Sequence, residues 1–373
     1  MNLEDWLAAR STQREQAGLT RKLRPRPAHA GMLDLAGNDY LGLATDPRVS
    51  AAAADAAQEW GAGAGASRLV TGSLHLHAEL ESQLAAFCGQ QAALVFSTGY
   101  HANLGAVTAL ADSDTLVVSD AHVHASLVDA CRLARGRVQV VPHSDVVAVD
   151  DALASRPESR ALVLCESVYS VLGDAAPLAA LAEVCHRHDA TLVVDEAHAL
   201  GVAGRRGEGM VAALGLARVV DVVVTVTLSK ALGSQGGAVL GSPALAQHLV
   251  NRARPFIYDT GLAPPAAGGA LEALRIVEAE PELPERARAC ALTLADAVGV
   301  DPPAGAVLSV PVAGPREAVT AQAELAESGL RVGCFRPPSV PDGISRLRLT
   351  ASARLAGPDL DDAAAVLTKV VAG

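Results

Sequence analysis

Between residues 92 and 241 the chain alternates short runs of Val, Leu and Ala with amphipathic stretches, and no other feature constrains its fold as much. The alternation predicts strands joined by crossover helices in a mostly parallel sheet, an α/β core. Strands are expected at 92–96, 115–119, 137–142, 161–167, 191–195, 220–228 and 237–241. Helices are expected between Gly99 and Leu110, His124 and Ala134, and Leu178 and His188, where apolar residues recur at three- and four-residue spacings. The strands lack a clean apolar–polar alternation, so both sheet faces should be covered. Aromatic residues make up only 3% of the chain, which leaves Ala, Val and Leu to build the core and favours close helix-on-sheet packing.

The flanks read differently. A polar helix over 3–16 precedes a basic, proline-containing arm, Arg21-Lys-Leu-Arg-Pro-Arg-Pro27. Beyond Asn251, prolines at 255, 264, 265, 281 and 284 break the pattern, and short strands are expected at 307–311 and 346–349. The organisation expected is an N-terminal helix and arm (1–45), a large α/β domain (46–276) and a smaller α+β C-terminal domain (277–373). A formal net charge of −11 argues against a nucleic-acid partner. The first residues carry Glu4 and Asp5 where a secretory signal needs basic groups, and no apolar run reaches the roughly 18 residues of a membrane span. The expectation is a soluble cytoplasmic protein with no membrane partner. The six cysteines (88, 131, 165, 185, 290 and 334) form no C-x-x-C pair and read as small buried hydrophobes.

Of 30 basic side chains only three are lysines, Lys22, Lys230 and Lys369, and only Lys230 lies within an apolar segment, Val224-Thr-Val-Thr-Leu-Ser-Lys-Ala-Leu-Gly233. An amine held at a strand end is partly desolvated, which lowers its pKa and frees it to attack a carbonyl; the alternative is a lysine reaching out to solvent. A P-loop is excluded because Ala231 stands where Ser or Thr is required. Upstream, Leu192-Val-Val-Asp-Glu-Ala-His198 puts Asp195 at the carboxyl end of a buried strand, where open α/β sheets gather ligands. A carboxylate there needs a cationic partner; a protonated pyridine nitrogen is one, and His198 could then donate to a phenolic oxygen on the same ring.

Weaker signals surround these two. Phe96-Ser-Thr-Gly-Tyr-His-Ala-Asn103 is a strand end, a glycine and a helix start, whose free amides could take a phosphate. His124 could stack on a flat cofactor or simply open a helix, and His122 competes for either role. The loop Gly61-Ala-Gly-Ala-Gly-Ala-Ser-Arg68 follows a helix and not a strand, so it reads as close chain approach and not as a dinucleotide loop. His75 and His77 lack neighbours of metal-ligand type, and no metal site is expected. Arg346 and Arg348 share one face of a short strand, where an arginine could grip a carboxylate or form a surface ion pair.

Seven motifs together resemble the α-oxoamine synthase family of pyridoxal-phosphate enzymes, of fold type I, over nearly the whole chain. They are Asn38-Asp-Tyr-Leu-Gly-Leu43, Ser67-Arg-Leu-Val-Thr-Gly72, Ser97-Thr-Gly-Tyr100, His124-Ala-Ser-Leu127, Val194-Asp-Glu-Ala-His198, Thr227-Leu-Ser-Lys230 and Arg346-Leu-Arg-Leu-Thr350, in the family's order. The resemblance implies a large cofactor-binding domain with a mostly parallel sheet and a smaller C-terminal α+β domain. It implies pyridoxal 5'-phosphate as cofactor, held covalently by Lys230, which would later take the substrate's α-proton. Asp195 would pair with the ring nitrogen, His198 and Ser170 would lie near the phenolic oxygen, and His124 would stack on the ring. Gly99, Tyr100 and Thr227 would bind the phosphate, with Thr260 supplied across a homodimer. Asn38 and Arg348 would hold the amino-acid carboxylate, and Arg21 and Ser339 would contact the acyl substrate.

Within the family, Cys334-Phe-Arg-Pro-Pro-Ser-Val-Pro341 and the strand after it most resemble the branch that condenses L-alanine with a pimeloyl thioester, on CoA or on an acyl-carrier protein. Glycine-using members, glycine C-acetyltransferase and 5-aminolevulinate synthase, are the alternative within the family. An NAD(P)-dependent dehydrogenase is the alternative outside it. Three positions depart from the family pattern: Leu172 where an aspartate is common, Ala199 where glycine is usual, and Asp259 where a small neutral residue is commoner. A positive φ at Ala199 would cost of order 1 kcal/mol, and Asp259 would bring negative charge near the phosphate contact.

Overall fold

The computed structural model describes residues 1–373 apart from 17, 18, 22, 24, 29, 30, 338, 339, 356, 372 and 373, so Ser339 lies outside the described residues. The chain divides into two compact units, Met1–Met32 and Leu33–Gly373. The first contains the helix Leu3–Gln16, which buries none of its residues, and the exposed Arg21.

The second unit holds two sheets. It opens with β1 (Leu33–Leu35), then β2 (Ala92–Phe96), β3 (Thr115–Asp120), β4 (Arg137–Val141) and β5 (Arg160–Glu166). There follow β6 (Thr191–Asp195), β7 (Val222–Thr227) and β8 (Gly237–Gly241), and finally β9 (Val307–Pro311), β10 (Leu330–Phe335) and β11 (Arg346–Thr350). The larger sheet has the order β2-β8-β7-β6-β5-β3-β4. Its strands are parallel except for β8, which runs antiparallel to both neighbours. These are the seven strands expected from the apolar runs, with ends displaced by at most two residues. The smaller sheet has the order β1-β10-β11-β9, and β1 joins it in parallel to β10.

Burial on both faces explains the unbroken apolar runs. Along β5, Ala161, Val163 and Cys165 enter one core cluster while Leu162 and Leu164 enter another. Leu192 and Val194 of β6 face the first core and Val193 the second. Five cysteines are buried and Cys334 is half-buried, all as free thiols. No described helix is long and apolar enough to cross a membrane.

Ala199 is fully buried, and among the described non-glycine residues only Ser144 and Asp189 have positive φ, so the backbone strain considered for Ala199 does not arise. Gly173, beside Leu172, does need its φ of 77°, and a Cβ there would come within 2.0 Å of the Val307 carbonyl oxygen. His77 is buried in a structural role: its Nε2 donates to the Leu262 carbonyl at 2.8 Å while its Nδ1 accepts from the Leu74 amide at 3.2 Å.

Candidate active site

The parallel strands of the large sheet deliver polar groups to one edge, the carboxyl ends where such sheets gather ligands. Glu166 ends β5, Asp195 ends β6 and Thr227 ends β7, and the register pairs Glu166 directly with Asp195. A cavity of about 230 Å³ lies there, lined by Gly99, His124, Glu166, Asp195, His198 and Lys230 among others. A larger cleft of about 640 Å³ between the helices Gly99–Leu110 and Pro243–Arg252 contains Asp112, Arg135 and Tyr258, but every titratable side chain lining it is exposed. The chemistry therefore belongs to the smaller cavity.

Asp195 is 4% exposed and rigidly held. Its Oδ2 accepts from Asn103 Nδ2 at 2.7 Å and its Oδ1 from the Ala197 amide at 2.9 Å. The Asn103 amide is itself oriented, because Oδ1 accepts from Thr225 Oγ1 at 2.5 Å and Nδ2 also reaches Ser126 Oγ at 2.8 Å. Ser126 in turn contacts His124 Nδ1 at 2.8 Å, so the floor carboxylate and the His124 ring share one scaffold. Glu166 is 1% exposed; its Oε2 accepts from the Ser170 amide at 2.9 Å and its Oε1 has no partner. Burial, then the charge of Asp195, pushes the Glu166 carboxyl up to about 8.

Burial also brings the Lys230 amine down to about 8, against the pull of Asp195 and Glu166. Its Nζ lies 2.8 Å from His198 Nε2. Burial, with Lys230 and Arg348 adding repulsion, holds His198 well below its ordinary value, so its ring is neutral. Behind it the fully buried Tyr40 hydroxyl lies 2.6 Å from His198 Nδ1 and donates to Asn38 Oδ1 at 3.0 Å. Asn38 Oδ1 also accepts from Arg348 Nη2 at 3.0 Å, while Arg348 Nε donates to the Ser170 carbonyl at 2.6 Å. An unbroken chain of hydrogen bonds thus links Lys230 to Arg348 through His198, Tyr40 and Asn38.

The opposite wall is the start of the Gly99–Leu110 helix. Thr98 caps it by accepting from the His101 amide at 3.0 Å, and the amides of Gly99 and Tyr100 belong to the first turn, which has no acceptors within the helix. A Cβ on Gly99 would stand 2.9 Å from Thr227 Cβ, so glycine allows the helix start to approach β7. These residues fit a phosphorylated pyridine aldehyde. They combine an amine of lowered pKa, a carboxylate floor, free amides beside a hydroxyl, and a buried Glu166 oxygen left without a partner.

Residues 30–367 match the family model described as aminotransferase class I and II. The chain belongs to this family. The 8-amino-7-oxononanoate synthase of Mycolicibacterium gilvum (strain PYR-GCK) is 55% identical over 367 residues, covering 98% of this chain and 97% of that relative. The enzyme of the same name from Mycolicibacterium smegmatis is 56% identical over 371 residues, covering 98% and 96%. Among solved structures, serine palmitoyltransferase from S. paucimobilis superposes with a TM-score of 0.91 at 29% identity, covering 99% of this chain and 98% of that one. The class I and II aminotransferase fold type I and its pyridoxal 5'-phosphate cofactor are therefore those of this chain, and the likeness carried by the seven motifs is borne out.

Of the residues singled out in the sequence, Gly99, Tyr100, His124, Asp195, His198, Thr227 and Lys230 line the one cavity. Asn38, Ser170 and Arg348 stand behind it, joined through Tyr40 and Glu166. Thr260 is exposed, and the neighbouring Asp259 is engaged within the chain: it accepts from Ser97 Oγ and lies 3.2 Å from His101 Nδ1. Arg21 lies in the first unit. Glu166, Tyr40, Asn103 and Ser126 had no assigned role in the sequence reading. A second apolar strand ending in an acid was the available signal for Glu166.

Proposed function

We propose that the chain catalyses the decarboxylative condensation of L-alanine with a pimeloyl thioester, carried on CoA or on an acyl-carrier protein. The products are 8-amino-7-oxononanoate, CO2 and free thiol, on the route to biotin. The observation that carries this reading is the placement of Lys230 Nζ, lowered to about 8, in a cavity floored by Asp195 and 2.8 Å from His198 Nε2.

In this reading Asp195 faces the ring nitrogen of the cofactor, His124 stacks on the ring, and His198 and Ser170 lie towards its phenolic oxygen. Gly99, Tyr100 and Thr227 hold the phosphate, joined by Thr260 of the partner subunit in a homodimer. When bound, the cofactor supplies an electron sink that makes the substrate's α-proton acidic and permits loss of CO2. Arg348 and Asn38 hold the alanine carboxylate by a charge-assisted grip. The Lys230 amine, once free of the cofactor, takes the α-proton as general base, a task suited to a pKa near the working pH. The Glu166 carboxyl, pushed up to about 8, keeps its proton at neutral pH and so avoids a second buried negative charge beside Asp195. Arg21 and Ser339 serve the acyl substrate, and the enzyme works in the cytoplasm.

The test is to incubate the holoenzyme with L-alanine and pimeloyl thioester and identify the product by mass. The mass of 8-amino-7-oxononanoate together with released CO2 is expected. Turnover of glycine alone would replace this reading with a glycine-using one. Oxidation that depends on NAD(P) would discard it.

A further inference from the structure

Outside the cavity, His143 is held between two carboxylates on different segments. Its Nδ1 lies 3.0 Å from Asp120 Oδ1 and its Nε2 lies 2.8 Å from Asp174 Oδ2. Asp120 is the last residue of β3, four positions before His124, and is 8% exposed. It also accepts from the His122 amide and the Ser144 amide, each at 2.7 Å. Asp174 closes the tight turn that carries Ser170: its carbonyl accepts from the Tyr169 amide at 2.9 Å, and the Gly173 amide returns to the Tyr169 carbonyl at 2.9 Å. That turn meets the cavity twice, through the Ser170 amide on Glu166 and through the Ser170 carbonyl on Arg348.

We propose that His143 is a positioning residue of this enzyme, an imidazolium clamp that holds the His124 turn and the Ser170 turn in fixed relation. Carboxylates can only accept, so contacts at both ring nitrogens require both to carry protons. The surroundings agree. The Tyr169 and His143 rings meet edge to face at 4.3 Å between centroids, and the His122 ring lies 4.5 Å from that of His143. Burial alone would lower His143, but Asp120 and Asp174 outweigh it and push its pKa up to about 9. Burial first, and then the charge of His143, keeps His122 below its ordinary value, although Asp342 and Asp120 pull the other way and Arg346 adds to the lowering. Of the two neighbouring histidines, then, His143 carries the charge and His122 packs against it. This explains why the sequence holds a second histidine two positions before His124 that does not line the cavity.

The sign follows from the raised pKa. The clamp is complete below the ordinary histidine pKa near 6.5 and is lost as pH rises through about 9. The inference rests on the cofactor site of the proposed function but not on the identity of the acyl substrate, and the test keeps the two apart. Asp174→Asn is the main variant, because Asp174 is exposed and its loss leaves an acceptor in place while removing one charge. In the apoprotein with isotope-labelled histidine, the His143 ring resonance is expected to titrate near pH 9, and about one pH unit lower in Asp174→Asn, a tenfold loss of proton affinity.

In the holoprotein, the visible circular dichroism of the bound cofactor, which reports the ring's asymmetric surroundings, should collapse over the same pH range in each protein. The alkaline limb of kcat/KM for alanine should move with it. His143→Gln should show the weakened dichroism at every pH. A His143 resonance that titrates near 6.5 would overturn the proposal. So would dichroism and an alkaline limb that superpose for Asp174→Asn and the parent while the resonance moves.

Discussion

Lys230 Nζ stands 2.8 Å from His198 Nε2, and the hydrogen bonds behind the ring assign that nitrogen the acceptor's role. The protonation follows from the chain behind it. The single Tyr40 hydroxyl hydrogen goes to Asn38 Oδ1, which also accepts from Arg348 and has nothing to give back. The Tyr40 oxygen must therefore accept from His198 Nδ1, which leaves Nε2 bare as an acceptor for the lysine. Arg348 thus sets a tautomer at the far end of the cavity through two side chains that line no part of it.

The first consequence concerns the amine itself. Lys230→Ala removes the only lysine that lines the cavity among the described residues, and the rate of condensation should fall by at least about 10²–10⁴-fold, the usual contribution of a positioned base. Cofactor should still bind noncovalently to Asp195 and the helix start, so ultrafiltration should recover it with the protein. After borohydride reduction of the parent holoprotein, peptide mapping should place the cofactor label at Lys230. A variant with near-normal turnover, or a label elsewhere, would remove Lys230 from the role assigned to it.

The second concerns pH. Burial lowers Lys230 to about 8, so at pH 7 roughly a tenth of the amine is neutral, against roughly one part in 3,000 for an ordinary lysine. Only the neutral amine attacks an electrophile. Labelling of the apoprotein by trinitrobenzenesulfonate, quantified at Lys230 by peptide mapping, should therefore rise with pH through about 8 and then level off. The folded pKa lies below the unfolded one, so the fold is disfavoured while the amine must stay charged and gains stability as pH rises between about 8 and 10.5. A labelling midpoint at 10 or higher for Lys230 would mean that the cavity does not desolvate it.

Third, the Tyr40 link predicts a split in kinetic constants. Tyr40→Phe keeps the buried ring but leaves His198 Nδ1–H without an acceptor and Asn38 Oδ1 without one of its two donors. Asn38 Oδ1 keeps its Arg348 donor, so what is lost there is one hydrogen bond worth about 0.5–1.5 kcal/mol, which should appear as a rise of up to roughly tenfold in KM for alanine. Arg348→Lys breaks the paired contacts to Asn38 and Ser170 together and should raise KM by more than Tyr40→Phe does, since an ammonium cannot reproduce the guanidinium fork. Steady-state kinetics with alanine varied at saturating thioester would check the order; equal KM values for the parent and both variants would contradict it.

The parts of this architecture that were legible in the sequence are those in which one short segment carries the whole signal. The strands of the large sheet announce themselves because each is buried on both faces and so reads as an unbroken apolar run. Asp195 and Lys230 stand out because charge at the end of such a run needs a reason. β1 is illegible: Leu33–Leu35 is three residues long and becomes a strand only by pairing with β10, far along the chain. Glu166 sits in an ordinary-looking Cys-Glu-Ser, and its importance comes from the register that sets it beside Asp195. Tyr40 and Asn103 lie inside recognisable motifs, yet their work is done on residues contributed by other segments. Asp259 looked like unwanted negative charge, and only the fold shows that Ser97 and His101 engage it.

The phosphate end gives the last prediction. Gly99 begins the helix whose first residues line the cavity, and any Cβ there would meet Thr227 Cβ at 2.9 Å, closer than real side chains approach. Neither neighbour can yield cheaply, because Thr227 ends β7 with its hydroxyl bonded to Ser229 Oγ at 2.6 Å and to the Gly236 carbonyl at 3.2 Å. Gly99→Ala should therefore displace the helix start from Thr227, at an overpacking cost of about 1–3 kcal/mol. Much of that cost falls where amides and hydroxyl converge on one anion, so the apparent Kd for pyridoxal 5'-phosphate, measured by fluorescence titration of the apoprotein, should rise by about tenfold or more. Pyridoxal without its phosphate should be affected far less. Equal losses for the two ligands would mean that the substitution disturbs the cavity as a whole, and that the Gly99 amide has no special part in holding the phosphate.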